Sequence, residues 1–169
     1  MDFANPRPTL FGMLPDGRAG IVATLNIMRQ IVRKYRKHPS IRELALRLTS
    51  DNRQNDVMAD VKSLHAFVRD YIRYVNDTRG VETLQTPLAT LELRAGDCDD
   101  KSILLASLLE SIGRAARLVA VGFKPDSFCH VLVEVRSGNG RTWIPLETIK
   151  NVPAGWFPAD VRAKMITHI

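Results

Sequence analysis

The 169-residue chain has only two cysteines, too few for a disulfide framework, and this predicts a reducing, cytoplasmic setting. No stretch approaches the ~18–20 consecutive apolar residues of a membrane span. The opening Met-Asp-Phe-Ala-Asn-Pro lacks the basic and apolar regions of a signal peptide. Aromatics are sparse at 7%, and low-complexity or repeated segments are absent. What is present is ordinary globular composition, 45% hydrophobic and 25% charged, and it excludes a disordered tail protein. The length suits a single domain.

The charge is unevenly placed. Residues 1–55 carry ten Lys/Arg against four Asp/Glu, and residues 56–169 carry fourteen of each. The excess centres on Arg29, Arg33, Lys34, Arg36 and Lys37. It reads either as an electropositive surface for an acidic partner or as a solvated helix end complementing the macrodipole. Only Tyr35 interleaves with these charges, so the second reading is preferred and nucleic acid is not the expected partner.

The periodicity divides the chain. Residues 1–20, with three prolines and three glycines, read as an irregular N-terminal arm. A helical layer follows over 21–76. Ile21, Leu25, Met28, Val32 and Tyr35 share one face, and Ile41, Leu44, Ala45 and Leu48 mark a short second helix. Val57 to Val75 forms the third, with Asn55 or Asp56 as cap. Residues 76–97 are loop-like, with Gly80, Pro87 and Gly96, and Leu88–Leu93 can form a turn of helix. A fourth helix is expected from about Asp99 to Ile112, stopped by Gly113; apolar nearly all round, it should be buried. The period then changes to two over 117–123, 129–136 and 141–147. Helices first and strands later predict an α+β fold with an antiparallel sheet, one domain spanning 21–150 with its core in 77–150. Residues 151–169, with Trp156 and Phe157, read as a tail docking onto the body.

If Arg136 pairs with Arg141 across a four-residue hairpin loop, His130 falls directly opposite Glu147, with β-carbons about 4.5–5.5 Å apart. Val131, Val133, Val135, Thr142, Ile144 and Leu146 then share the core face, and Cys129 joins them. His130, Glu134, Trp143 and Glu147 face the other way, where Trp143 either walls a cleft or packs. Cys98 is expected at the mouth of the buried helix, where unpaired N–H groups favour a thiolate. An imidazole beside it and a carboxylate behind that imidazole would complete an activated nucleophile. His38, His65 and His168 have no recognisable partners and read as surface or boundary residues.

Two stretches carry a resemblance. Glu82-Thr-Leu-Gln-Thr-Pro, then Arg94-Ala-Gly-Asp-Cys-Asp-Asp-Lys-Ser with its Leu-rich helix, resembles the transglutaminase-like cysteine enzymes. Cys129-His-Val-Leu-Val-Glu-Val and Gly140-Arg-Thr-Trp-Ile-Pro-Leu-Glu resemble them too. The resemblance covers about residues 56–150, and the Met-Leu-Pro-Asp-Gly start is similar to phage and prophage members. It implies a papain-like fold with a catalytic triad: Cys98 as nucleophile, His130 as general base and Glu147 where the family usually has Asp. The implied activity is that of a cysteine protease, amidase or acyltransferase on protein or peptide substrates, with no cofactor. A phage-type relative also implies a non-catalytic assembly module as the alternative, with phage structural proteins as partners and the host cytoplasm or the virion as setting. The Cys98 backbone N–H is the natural oxyanion donor, with Gln85 a candidate second. Asp97, Asp99 and Asp100 read as helix caps, or alternatively as oxygen ligands for Ca²⁺. Zinc binding by Cys98, Cys129 and His130 fits no common spacing, and a Cys98–Cys129 disulfide is not expected.

Overall fold

The computed structural model describes residues 9–10, 17–76 and 83–169. Most of the expected arm, and the Glu82 and Gly80 positions, lie outside them. Helix α1 spans Gly17–Tyr35, starting four residues before the expected period, and it buries Leu25, Met28 and Val32. Helix α2, Pro39–Leu48, has proline in its first turn and is capped by His38, whose Nδ1 accepts from the Ser40 N–H. Helix α3, Val57–Tyr71, is capped by Asp56 accepting from Ala59 N–H at 2.9 Å. It ends four residues before Val75, because Arg73–Tyr74 leaves it to pair in parallel with Ala95–Gly96. Strands β1 (Thr9–Leu10), β2 (Arg73–Tyr74), β3 (Thr83–Leu84) and β4 (Ala95–Gly96) make two small ribbons, β1 with β3 and β2 with β4. The turn expected at 88–93 is helix α4, Pro87–Leu93.

Helix α5, Cys98–Ser111, is the centre of the molecule. Ile103, Leu104, Leu105, Ala106, Leu108 and Leu109 are all fully buried on it. Each buried Leu or Ile is worth roughly 1.5–3 kcal/mol, so this helix contributes a large share of the core. Its three buried serine hydroxyls stay satisfied: Ser102 donates to the Val131 carbonyl, Ser107 to that of Ile103 and Ser111 to that of Leu108. Helices α1 to α4 pack around one side of α5, and the sheet closes the other.

The sheet is antiparallel, ordered β7-β6-β5-β8, from β5 (Ala116–Gly122), β6 (His130–Arg136), β7 (Trp143–Leu146) and β8 (Ala163–His168). The C-terminal stretch read as a docking tail thus supplies an edge strand. Its approach carries Phe157 and Val161 over Val119, Val121 and Leu132 on the outer sheet face. The β6–β7 register differs from the expected one. Arg136 pairs with Trp143, not Arg141, because Ser137 and Thr142 extend the ladder and the four-residue loop moves to 138–141. The Ser137 hydroxyl, accepting from the Thr142 N–H and hydroxyl, holds that extra pair. A two-residue shift preserves the alternation of faces within the paired strands, but Thr142, expected on the core face, lies exposed at the turn. Val131, Val133, Val135, Ile144 and Leu146 accordingly pack against the core.

Candidate active site

Cys98 is the first residue of α5, and Asp97 is its cap. The Asp97 carboxylate accepts from the N–H groups of Asp99 (2.9 Å) and Asp100 (3.0 Å), and Asp100 returns a bond to the Asp97 N–H. This reciprocal box forms because short acids at both positions satisfy donors that the first turn leaves unpaired. Asp100 is fully buried and also accepts from the Gln85 N–H at 2.7 Å, tying the segment before α4 to the start of α5. Cap duty therefore occupies Asp97 and Asp100. Among the described residues no group of His, Cys, Asp or Glu is arranged to hold a metal ion.

The Cys98 thiol donates to Asp99 Oδ1 at 3.4 Å. Burial, then the Asp99 and Asp97 carboxylates, push its proton affinity far up, against a smaller opposing pull from the Val131 N–H. The helix end does not by itself make a thiolate here, because the Asp97 carboxylate already takes the Asp99 and Asp100 N–H groups.

On β6, His130 carries the second half of the site. Its Nε2 lies 2.6 Å from Glu147 Oε2. The two are not directly opposite, since the observed register places them diagonally. Glutamate's length and the turn of the chain after Leu146 close the gap. Glu147 is 1% exposed. Burial alone would raise its carboxyl, but the His130 hydrogen bond and charge, with the N–H groups of Ile149 and Lys150, hold it below the usual glutamate range. An ionised carboxylate only accepts, so Nε2 carries the proton and Nδ1 is the imidazole's free base.

Cys98 and His130 line one cavity of about 530 Å³, together with Asp99, Tyr74, Leu25 and Phe128. Cys129 lines it as well and is exposed, which overturns the expected core placement; it precedes the first residue of β6, so strand alternation does not bind it. Both cysteines are free. Gln85 is not among the described lining residues, and its side-chain oxygen accepts from the Thr90 hydroxyl at 3.3 Å. Its proposed oxyanion role has no support in this geometry. Trp143 packs away from the cavity, under the guanidinium of Arg117 at 4.2 Å and edge-on to His168.

Two residues beside the site escaped the sequence reading. His65, expected at the surface or its boundary, is 2% exposed, and its Nε2 lies 2.5 Å from the Glu147 carbonyl oxygen. Lys101 is 1% exposed and donates to the carbonyls of Ile72 (2.6 Å) and Arg69 (3.2 Å). Burial lowers its proton affinity to about 8. Signals for both were present: His65 continues the apolar stripe of Val61, Leu64 and Val68, and Lys101 is a charge in a helix with almost no polar face.

A cysteine opening a buried helix, against an antiparallel sheet that presents a histidine and its carboxylate, defines a papain-like α+β protein. The transglutaminase-like superfamily model matches residues 42–148, and the chain belongs to that superfamily. In fold it is similar to a proposed cysteine protease from Cytophaga hutchinsonii, at 19% identity and a TM-score of 0.55 over 80% of this chain. It is also similar to a proposed protease from Parabacteroides distasonis, at 10% identity and a TM-score of 0.59 over 89% of this chain. The chain spans 48% and 37% of the lengths of these two proteins. No curated protein matches it in sequence. Among the described residues no helix is long and apolar enough to cross a membrane.

Proposed function

We propose that the chain is a thiol enzyme that cleaves or transfers peptide or amide acyl groups through an acyl-enzyme on Cys98. The observation that carries this reading is the 2.6 Å His130–Glu147 hydrogen bond on the wall of the cavity that also holds Cys98. With Nε2 engaged, Nδ1 is the base. The thiol is held protonated, so His130 acts during attack instead of storing a preformed ion pair. The thiol leaves Asp99, its proton passes to Nδ1, and Sγ bonds to the substrate carbonyl carbon. The Asp97 carboxylate caps Asp99 and Asp100, so the Cys98 N–H stays outside the cap as a donor to the tetrahedral oxyanion. His130 then protonates the departing amine. Water or a second amine resolves the thioester, and which one does so separates hydrolysis from transfer.

A peptide aldehyde tests this. We expect a one-to-one hemithioacetal on Cys98, seen by mass spectrometry, and no adduct on Cys98→Ala. Turnover in a peptide and amide screen should fall by several orders of magnitude in that variant. Equal behaviour of native and Cys98→Ala protein would refute the reading.

The second reading is a non-catalytic assembly module of the phage type. The two carboxylates crowding the thiol favour it, since they oppose ionisation. Under it the aldehyde leaves no adduct on Cys98, and no peptide or amide is turned over.

A further inference from the structure

Strand β7 ends at Leu146, whose partner is Val133, so the sheet ladder stops one residue short of Glu147. Beyond that point side chains of α3 hold the main chain. His65 Nε2 meets the Glu147 carbonyl at 2.5 Å, and Arg69 Nη1 donates to the Val152 carbonyl at 2.9 Å. A carbonyl only accepts, so the His65 ring is in its Nε2–H form, and burial keeps it neutral. The last turn of the same helix also receives α5, through the Lys101 ammonium on the carbonyls of Arg69 and Ile72. One helix therefore grips both the first turns of the nucleophile helix and the segment that bears the acid.

We propose that His65 is a positioning residue: its Nε2–H fixes the Glu147 carbonyl, and with it the reach of the Glu147 carboxylate to His130 Nε2. This rests on the reading of Cys98, His130 and Glu147 as a catalytic site. The His130–Glu147 bond is 2.6 Å long, and a separation of ~3.6 Å no longer makes a hydrogen bond. A main-chain drift of about 1 Å at residue 147 would break it, and misplacements of that size cost on the order of 10²-fold in rate.

Two readouts on the full chain test the proposal: the His130 Nε2 proton by ¹⁵N-edited NMR, and the pH profile of Cys98 alkylation by iodoacetamide. In His65→Leu we expect the downfield His130 proton to broaden or move upfield, and Cys98 alkylation near neutrality to fall ~10-fold or more. In His65→Gln the amide nitrogen occupies the place of Nε2, so both readouts should stay within about 3-fold of wild type. A folded Leu variant with wild-type readouts overturns the proposal. So does a Gln variant that falls as far as Leu, since then packing and not the donor matters. Should the Leu variant not fold, His65→Asn takes its place. Its amide falls short of the carbonyl, so the same losses are expected, and wild-type behaviour overturns. The enzyme reading fails separately, if the peptide aldehyde leaves no adduct on wild-type Cys98. The His130 proton reports the positioning whether or not that happens.

Discussion

The Cys98 thiol sits among groups that pull its proton in opposite directions. Burial and the carboxylates of Asp99 and Asp97 hold the proton on sulfur, while the Val131 N–H favours thiolate. Asp99 accepts the thiol's hydrogen bond and is the nearer charge by that contact. Replacing it by Asn removes a negative charge and keeps the side chain's size. Asp99→Asn is therefore expected to move the midpoint of Cys98 alkylation to lower pH and to speed labelling at neutral pH. An unmoved midpoint would mean that the Asp99 charge does not set the thiol. That both Asp97 and Asp99 act on Cys98 is a residue-scale consequence of Asp-Cys-Asp-Asp opening a helix. The acids at the start of α5 also disfavour ionisation of the Cys98 thiol.

At the scale of elements, delivery of His130 depends on how β5 hands over to β6. Gly122, the last residue of β5, lies against the following loop. A Cβ there would stand 1.6 Å from the Ser127 carbonyl oxygen and 3.2 Å from the Phe128 Cα. Those are backbone atoms, so the whole 123–129 loop would have to move. Gly122→Ala is expected to cost about 1–3 kcal/mol in denaturant unfolding, as overpacking does, and to weaken the His130–Glu147 contact. Gly138→Ala is the control. Its Cβ would meet only the Val57 side chain at 3.4–3.5 Å, and the change should stay within about 0.5 kcal/mol. If the two variants unfold alike, close approach at Gly122 does not govern the handover.

At the scale of the whole molecule, buried titratable groups give stability a definite pH profile. His65 is held neutral in the folded state, with its proton affinity lowered from 6.5 by burial. The unfolded chain binds that proton first, so stability falls as pH drops below about 6.5. Glu147 is also lowered, and its contribution is lost at more acid pH, below the ordinary glutamate value of 4.5. Lys101 acts on the alkaline side. Its folded value of about 8 lies below 10.5, so the unfolded chain holds more protons between them and stability rises across that window. At 1.36 kcal/mol per unit this amounts to about 3 kcal/mol. Denaturant melts from pH 5 to 10.5 on wild type, His65→Gln and Lys101→Met should locate both effects. Loss of the rise above pH 8 in Lys101→Met is the expected result, and an unchanged rise would refute the assignment.

The sequence by itself determined the helix periods, the all-apolar α5, the two-residue alternation of β5 to β7 and the cysteine at a helix mouth. These are local properties, set by side-chain spacing along one element. That His130 meets Glu147 beside Cys98 was equally legible, from the motif resemblance and from strand parity. Parity survives the two-residue slip in register, because faces repeat every second residue. Only the tertiary structure decided what depends on partners distant in the chain. Helix α3 stops at Tyr71 because β4 takes Arg73–Tyr74. The segment 163–168 becomes a strand because β5 has an open edge. His65 and Lys101 are buried because residues 82 and 29 positions away supply their acceptors. Even the thiol's proton affinity belongs to this second group, since the helix end that favours thiolate is outweighed by burial that no local pattern records.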